Sequence, residues 1–150
     1  MEKNVFFEAV EREFDFLLTE YDYHIFQETY VSEQMGNASV VFISNLTIIS
    51  IVLDRGQVLM EIGERSKPSK DRFEITDVLR YFSSDEKMDV YQFSKKNPYD
   101  VPPVENQVLK LALLIRRYCD QILRGDFTME EQINKLKKGR ISKLVENLTK

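Results

Sequence analysis

VVFISNLTIISIVLDRGQVLMEIG, residues Val40 to Gly63, is the longest run in the chain rich in β-branched residues, and its reading decides the fold. A two-residue turn at Arg55-Gly56 pairs Asp54 with Gln57, which sets Leu53, Ile51 and Ile49 opposite Val58, Met60 and Ile62. A slip of one residue would bring Gln57, Leu59 and Glu61 against the same three side chains, so the apolar pattern itself selects the register. Ser44-Asn45 reads either as a tight turn or as a bulge; as a turn it adds Val40 and Phe42 to the face of Ile49. The strand Leu46 to Leu53 is apolar on its other face too, where Ile48 and Val52 meet Leu59 across the hairpin. That second strip is either roofed by a later helix or open to a partner, and the apolar helices downstream are sufficient for a roof.

Upstream, Phe7, Val10, Phe14, Leu17 and Tyr21 recur at steps of three and four, one stripe of a helix over Asn4 to Tyr21 with Asn4 as N-cap. Its far side is an acidic ridge of Glu8, Glu11 and Asp15. Asp22 ends the helix, and Tyr23 to Val31 follows as an edge strand with poorly sorted faces. Gly36-Asn37 turns the chain into Ala38 to Ser44.

Downstream, ERSKPSKDR (residues 64–72) is a solvated loop and Phe73 to Ile75 a short extra strand. Thr76 or Asp77 caps a brief helix facing the core through Val78, Leu79 and Phe82. From Met88 to Pro103 the chain is irregular, with Tyr91, Phe93 and Tyr99 as anchors and three prolines opposing a helix. Val104 to Leu123 is the clearest helix, its stripe Val104, Val108, Leu111, Ile115, Tyr118 and Ile122 widened by Leu109, Ala112, Cys119 and Leu123. Leu113 sits on its polar face, and Gly125 stops it. Thr128-Met-Glu-Glu131 is a capping box that starts a last helix. Its later apolar set, Ile141, Leu144, Val145 and Leu148, is out of phase with Ile133 and Leu136, so a break or kink is expected at Lys138-Gly139, with residues 128–150 partly detached.

The order of elements predicts a single α+β domain over residues 1–150: an N-terminal helix, an antiparallel meander of about four strands, a short helix, then two to three C-terminal helices packed on the sheet. With 43% apolar and 31% charged residues in 150, the composition is that of a globular domain large enough to bury a core. The single cysteine, Cys119, excludes an internal disulfide, and no apolar leader or span of roughly twenty residues is present, so a cytoplasmic protein is expected. The net charge of -4 conceals a polarity: residues 1–33 carry -7 and residues 135–150 carry +5. Head and tail either attract each other, within one fold or between two copies, or are independent solvated faces.

Catalytic signals are sparse. One His and one Cys far apart make no zinc site, the five glycines fall at turns and helix ends rather than in a phosphate loop, and no spacing selects a carboxylate pair. No cofactor is expected. KLKKGRISK (residues 135–143) lacks interleaved aromatics and belongs to an acidic chain, which argues against nucleic acid, and its glycine argues against a membrane surface.

The opening helix leading to FDFLLTEYDYHI, followed by NASVVFISNLTIISIVLDRGQVLMEIG, resembles small bacterial α+β domains grouped with the immunity proteins of contact-dependent or polymorphic toxin systems. The resemblance covers roughly residues 10 to 82 and is one of pattern, leaving the helices from Val104 onward unexplained. It implies a domain that caps a toxin's active site, often that of a basic nuclease, with an acidic surface. Glu8, Glu11 and Asp15, with neighbouring Glu20 and Asp22, are the residues that correspond. Three functions follow as expectations: a non-catalytic protein-binding domain, immunity-type, presenting that acidic helix to a basic partner; a homo-oligomer or assembly subunit; and an orphan enzyme with a carboxylate site.

Overall fold

The computed structural model describes residues 2–34, 36–91 and 101–149, and their side chains except at 2–4 and 34. Strands β1 (His24–Val31), β2 (Asn37–Ile43), β3 (Thr47–Asp54), β4 (Gln57–Glu64) and β5 (Phe73–Glu74) form one antiparallel sheet in the order β1-β2-β3-β4-β5. The hairpin has the register that its apolar pattern demands: Leu53 faces Val58, Ile51 faces Met60 and Ile49 faces Ile62. Arg55 and Gly56 turn it with φ of 53° and 82°, the left-handed pair of a type I′ turn. Ser44-Asn45 is a turn, for Ser44 N–H donates to the Thr47 carbonyl at 2.9 Å, and Phe42 and Val40 lie beside Ile49 and Ile51. β1 is indeed an edge strand. Its register shifts at Phe26, which explains its unsorted faces.

Among the described residues six α-helices accompany the sheet: α1 (Glu2–Glu13), α2 (Asp15–Glu20), α3 (Ile75–Ser83), α4 (Val104–Tyr118), α5 (Asp120–Leu123) and α6 (Glu130–Thr149). Helix α1 begins at Glu2, so Asn4 lies inside it rather than capping it. The single opening helix is broken at Phe14, whose φ and ψ are -102° and 13°. The break has a packing cause. Phe14 and Phe16 would project from nearly opposite sides of a straight helix, yet both are buried and stacked with ring centroids 5.8 Å apart.

One core holds the fold together, with Val40, Phe42, Ile49, Ile51, Met60 and Ile62 from the sheet against Phe6, Val10, Leu79, Val108, Leu111 and Ile115 from the helices. All the described helices build onto this face. The expected roof over the second strip is therefore not found: Val41, Ile48, Val52 and Leu59 stay half-buried, outside the core and under no described helix. Leu109, assigned to the buried stripe, is exposed beside Leu113. Phe93 and Tyr99 lie outside the described residues.

Because β5 spans two residues, most of the outer edge of β4 has no described strand beside it. Side chains supply the partners instead. Val58 N–H donates to Gln107 Oε1 at 2.8 Å, while Gln107 Nε2 donates to the carbonyls of Gly56 at 2.8 Å and Pro102 at 2.9 Å. Met60 N–H donates to the Tyr91 hydroxyl. Buried Gln107 thus clamps the first turn of α4 to the tip of the hairpin, satisfying backbone groups that would otherwise cost stability.

Candidate partner-binding site

The acidic residues singled out from the sequence separate into two groups. Glu8, Glu11 and Asp15 lie exposed along α1 and the start of α2, and no described cation pairs with their carboxylates. Glu20 is different: Arg116 reaches it at 3.1 Å while also lying 4.8 Å over the Phe16 ring. Asp22 follows the end of α2 in a left-handed conformation with φ of 59°, exposed. A second cation, Arg124, stacks 4.9 Å over Tyr21 and pairs with Asp120 at 3.2 Å, and the Tyr21 hydroxyl donates to the same carboxylate at 2.7 Å. Hydrogen bonds from Tyr21 and Arg124 hold the Asp120 carboxyl below its ordinary value. Two arginines therefore moderate the far end of the ridge, leaving Glu8, Glu11 and Asp15 as its open part.

Among the described residues no ion pair joins the basic tail to that ridge. Helix α6 packs on α3, and its tie is Asp77, whose side chain is 0% exposed and receives Arg140 Nε at 3.0 Å and Nη2 at 2.9 Å in a bidentate pair. Asp77 was a candidate cap; the cap is Glu74, whose carboxylate accepts Thr76 N–H at 2.8 Å. The other oxygen of Glu74 accepts the Tyr91 hydroxyl. Burial raises the Glu74 pKa despite these bonds. A second, exposed tie joins Lys67 to Glu130 at 2.8 Å.

Nor does the capping box form: Thr128 N–H donates to the Asp126 carboxylate at 3.0 Å, and α6 starts at Glu130. From there it stays helical through Gly139 to Thr149, so the break expected at Lys138-Gly139 does not occur. The phase change in its apolar residues has another cause. Ile133 alone in α6 is fully buried, Leu136 and Arg140 are half-buried against the domain, and every residue from 141 to 149 is exposed. Ile141, Leu144, Val145 and Leu148 form a stripe on this free end, 44%, 53%, 54% and 86% exposed. The helix does not stop at Gly139; it leaves the core there. The stripe was legible as a change of phase, and its exposure was not.

Between α3 and α6 lies a groove of about 440 Å³ whose lining includes Arg80, Glu86, Lys135, Leu136, Lys143 and Leu144, a mostly basic cleft continuous with the stripe through Leu144. Another groove, about 490 Å³, runs past Leu46, Gly125 and Phe127. Among the described residues no group of His, Cys, Asp or Glu is placed to hold a metal ion. Cys119 is buried, its thiol pushed up to about 12 by desolvation, and His24 is exposed on the edge strand. No described helix is long and apolar enough to cross a membrane. Compared with family models, with curated proteins and with solved structures, the chain shows no match in any of the three.

Proposed function

We propose that the protein is a non-catalytic protein-binding domain that engages a partner through the C-terminal half of α6. The observation that supports this most is the exposed stripe of Ile141, Leu144, Val145 and Leu148 on a helix that continues nine residues past its last half-buried side chain, Arg140. Short helices are marginal in water without a packed face, so a helical end whose apolar stripe no described residue buries gains most from a partner. The lone thiol, with no second cysteine to pair with, is consistent with a cytoplasmic setting.

A second reading, an immunity-type inhibitor, is favoured by the exposed carboxylates of Glu8, Glu11 and Asp15. A basic partner meeting them would associate faster at low salt. Photoreactive benzoyl-phenylalanine at position 145, at position 11 and, as a control, at exposed Lys87 separates the two readings by irradiation in the cells that make the protein. An adduct at 145 above the control is the expected result. An adduct confined to position 11 transfers the function to the acidic helix, and yields no higher than at 87 defeat both.

A further inference from the structure

Two exposed surfaces are apolar and carry nothing that names their occupant: the outer face of the sheet at Val41, Ile48, Val52 and Leu59, and the stripe at the end of α6. The groove between α3 and α6 is different, because its charge is one-sided and its two arginines are held in place. Arg80 is anchored through Nε, which donates to the Met88 carbonyl at 2.6 Å. Arg140 is anchored through Nε at 3.0 Å and Nη2 at 2.9 Å on the buried carboxylate of Asp77. Neither anchor uses Nη1, and that of Arg80 spares Nη2 as well, so each guanidinium keeps terminal donors for a ligand with its orientation already fixed. Lys135 and Lys143 line the same groove, both exposed and with no described carboxylate paired to either.

Along α6 one wall of the groove is the row Lys135, Gly139 and Lys143, spaced four residues apart and so stacked at intervals of roughly 6 Å. Glycine weakens a helix interior, and no contact among the described residues requires it here: Gly139 lies inside α6, and a Cβ added to it would meet no described atom within 4 Å. The missing side chain leaves a gap between two lysines on the groove wall.

We propose that this groove binds the phosphate monoester of a small organic molecule, with the phosphate over Gly139 between Lys135, Lys143 and the two arginines, and the organic body against Leu136 and Leu144. Charge selects the anion. Arg80, Arg140, Lys135 and Lys143 bring +4 and Glu86 and Asp77 bring -2, so the groove keeps +2 in a chain whose net charge is -4. A phosphate monoester carries about -1.5 to -2 at neutral pH and matches that excess, where a carboxylate would leave half of it. The forked donors of arginine also suit the several oxygens of a phosphate. Size selects the rest: about 440 Å³ lies within the roughly 300–1,000 Å³ of small-molecule sites and exceeds what a bare phosphate fills. The site is separate from the protein-docking stripe, with which it shares Leu144.

The probe is phenyl phosphate, titrated into the full-length ¹⁵N-labelled protein at neutral pH, with benzoate and inorganic phosphate as comparators and amide shifts as the readout. Saturable shifts confined to residues 80–86 and 135–147 are expected, with phenyl phosphate binding at least fivefold tighter than either comparator. Gly139→Leu closes the gap without changing any charge and is expected to weaken binding at least tenfold while leaving the circular dichroism intact, because the position is open and helical. Lys135→Gln combined with Lys143→Gln is expected to weaken it as much. Benzoate binding as tightly as phenyl phosphate overturns the choice of phosphate, and inorganic phosphate binding as tightly reduces the groove to a site for an adventitious ion only. Shifts spread over lysines throughout the chain, no saturable shift at all, or a folded Gly139→Leu variant that binds like the parent overturn the site itself. Capture of a protein at position 145 is read separately and stands or falls without these results.

Discussion

Replacing Arg140 by Met removes the guanidinium from the Asp77 pair while keeping most of the aliphatic stem that packs beside it. Breaking a buried pair from one side costs about 3–5 kcal/mol, because the remaining charge is stranded. Asp77 is 0% exposed and Arg140 30% exposed, so water reaches one partner and the lower end applies, about 3 kcal/mol. For a domain of this size that corresponds to a fall in melting temperature of roughly 6–12 °C. Asp77→Asn keeps the shape and one acceptor, and should cost less, about 1.5 kcal/mol. Combining Arg140→Met with Asp77→Leu removes both charges and should recover much of the loss, so that urea denaturation of the parent, Arg140→Met, Asp77→Leu and the double variant gives a coupling energy of at least about 1 kcal/mol. An Arg140→Met variant within about 0.5 kcal/mol of the parent, or two changes that add without coupling, would show that the Asp77 pair does not hold α6.

Gln107→Leu strands Val58 N–H and the Gly56 carbonyl and should destabilise by about 2 kcal/mol, read from the urea midpoint; an unchanged midpoint would show that the clamp is dispensable. Gly139→Ala should stabilise by about 0.5–1 kcal/mol, since a Cβ there meets open space inside a continuous helix, whereas loss of stability would restore the expected break. Glu74 has its pKa raised by burial, so the folded state holds the proton more tightly than the unfolded chain. Its contribution is then fully present below the ordinary glutamate value and is lost as pH rises through the raised one. The stability of the parent relative to Glu74→Gln should fall from about pH 4 upward, and a rising difference would contradict the assignment.

How much of this was legible in the sequence depends on whether a feature is local. The β3–β4 register follows from alternation over eight residues, because a slip would exchange the faces of Ile49, Ile51 and Leu53. Periodicity likewise located the long helix but ran it from Val104 to Leu123, whereas α4 ends at Tyr118 and Asp120–Leu123 is a separate turn, α5, beyond Cys119 with its non-helical ψ of 16°; nor could it tell that Leu109 lies outside the contact. The break at Phe14 escaped because the stripe Phe7, Val10, Phe14, Leu17 is helical throughout; the competing demand came from Phe16, which also needed burial. Asp77 looks like a cap next to Thr76 until Arg140, sixty-three positions away, is brought to it. The roof over Ile48, Val52 and Leu59 was inferred from the supply of apolar helix, and that supply was spent on the other face and on the free end of α6. Of the candidate site, the composition of the stripe was readable as a phase change. Whether the phase change meant a bend or a departure from the core required the packing.

The central claim, that the end of α6 is completed by a partner, is tested most directly by amide hydrogen exchange of residues 141–149. In purified protein at low micromolar concentration these amides should exchange almost unprotected, as fraying ends do, while those around Ile133 are protected. With the partner present, either in millimolar protein or in extract of the producing cells, protection of 141–149 is expected to rise at least tenfold with little change in the sheet. Equal exchange in dilute, concentrated and extract samples would contradict it.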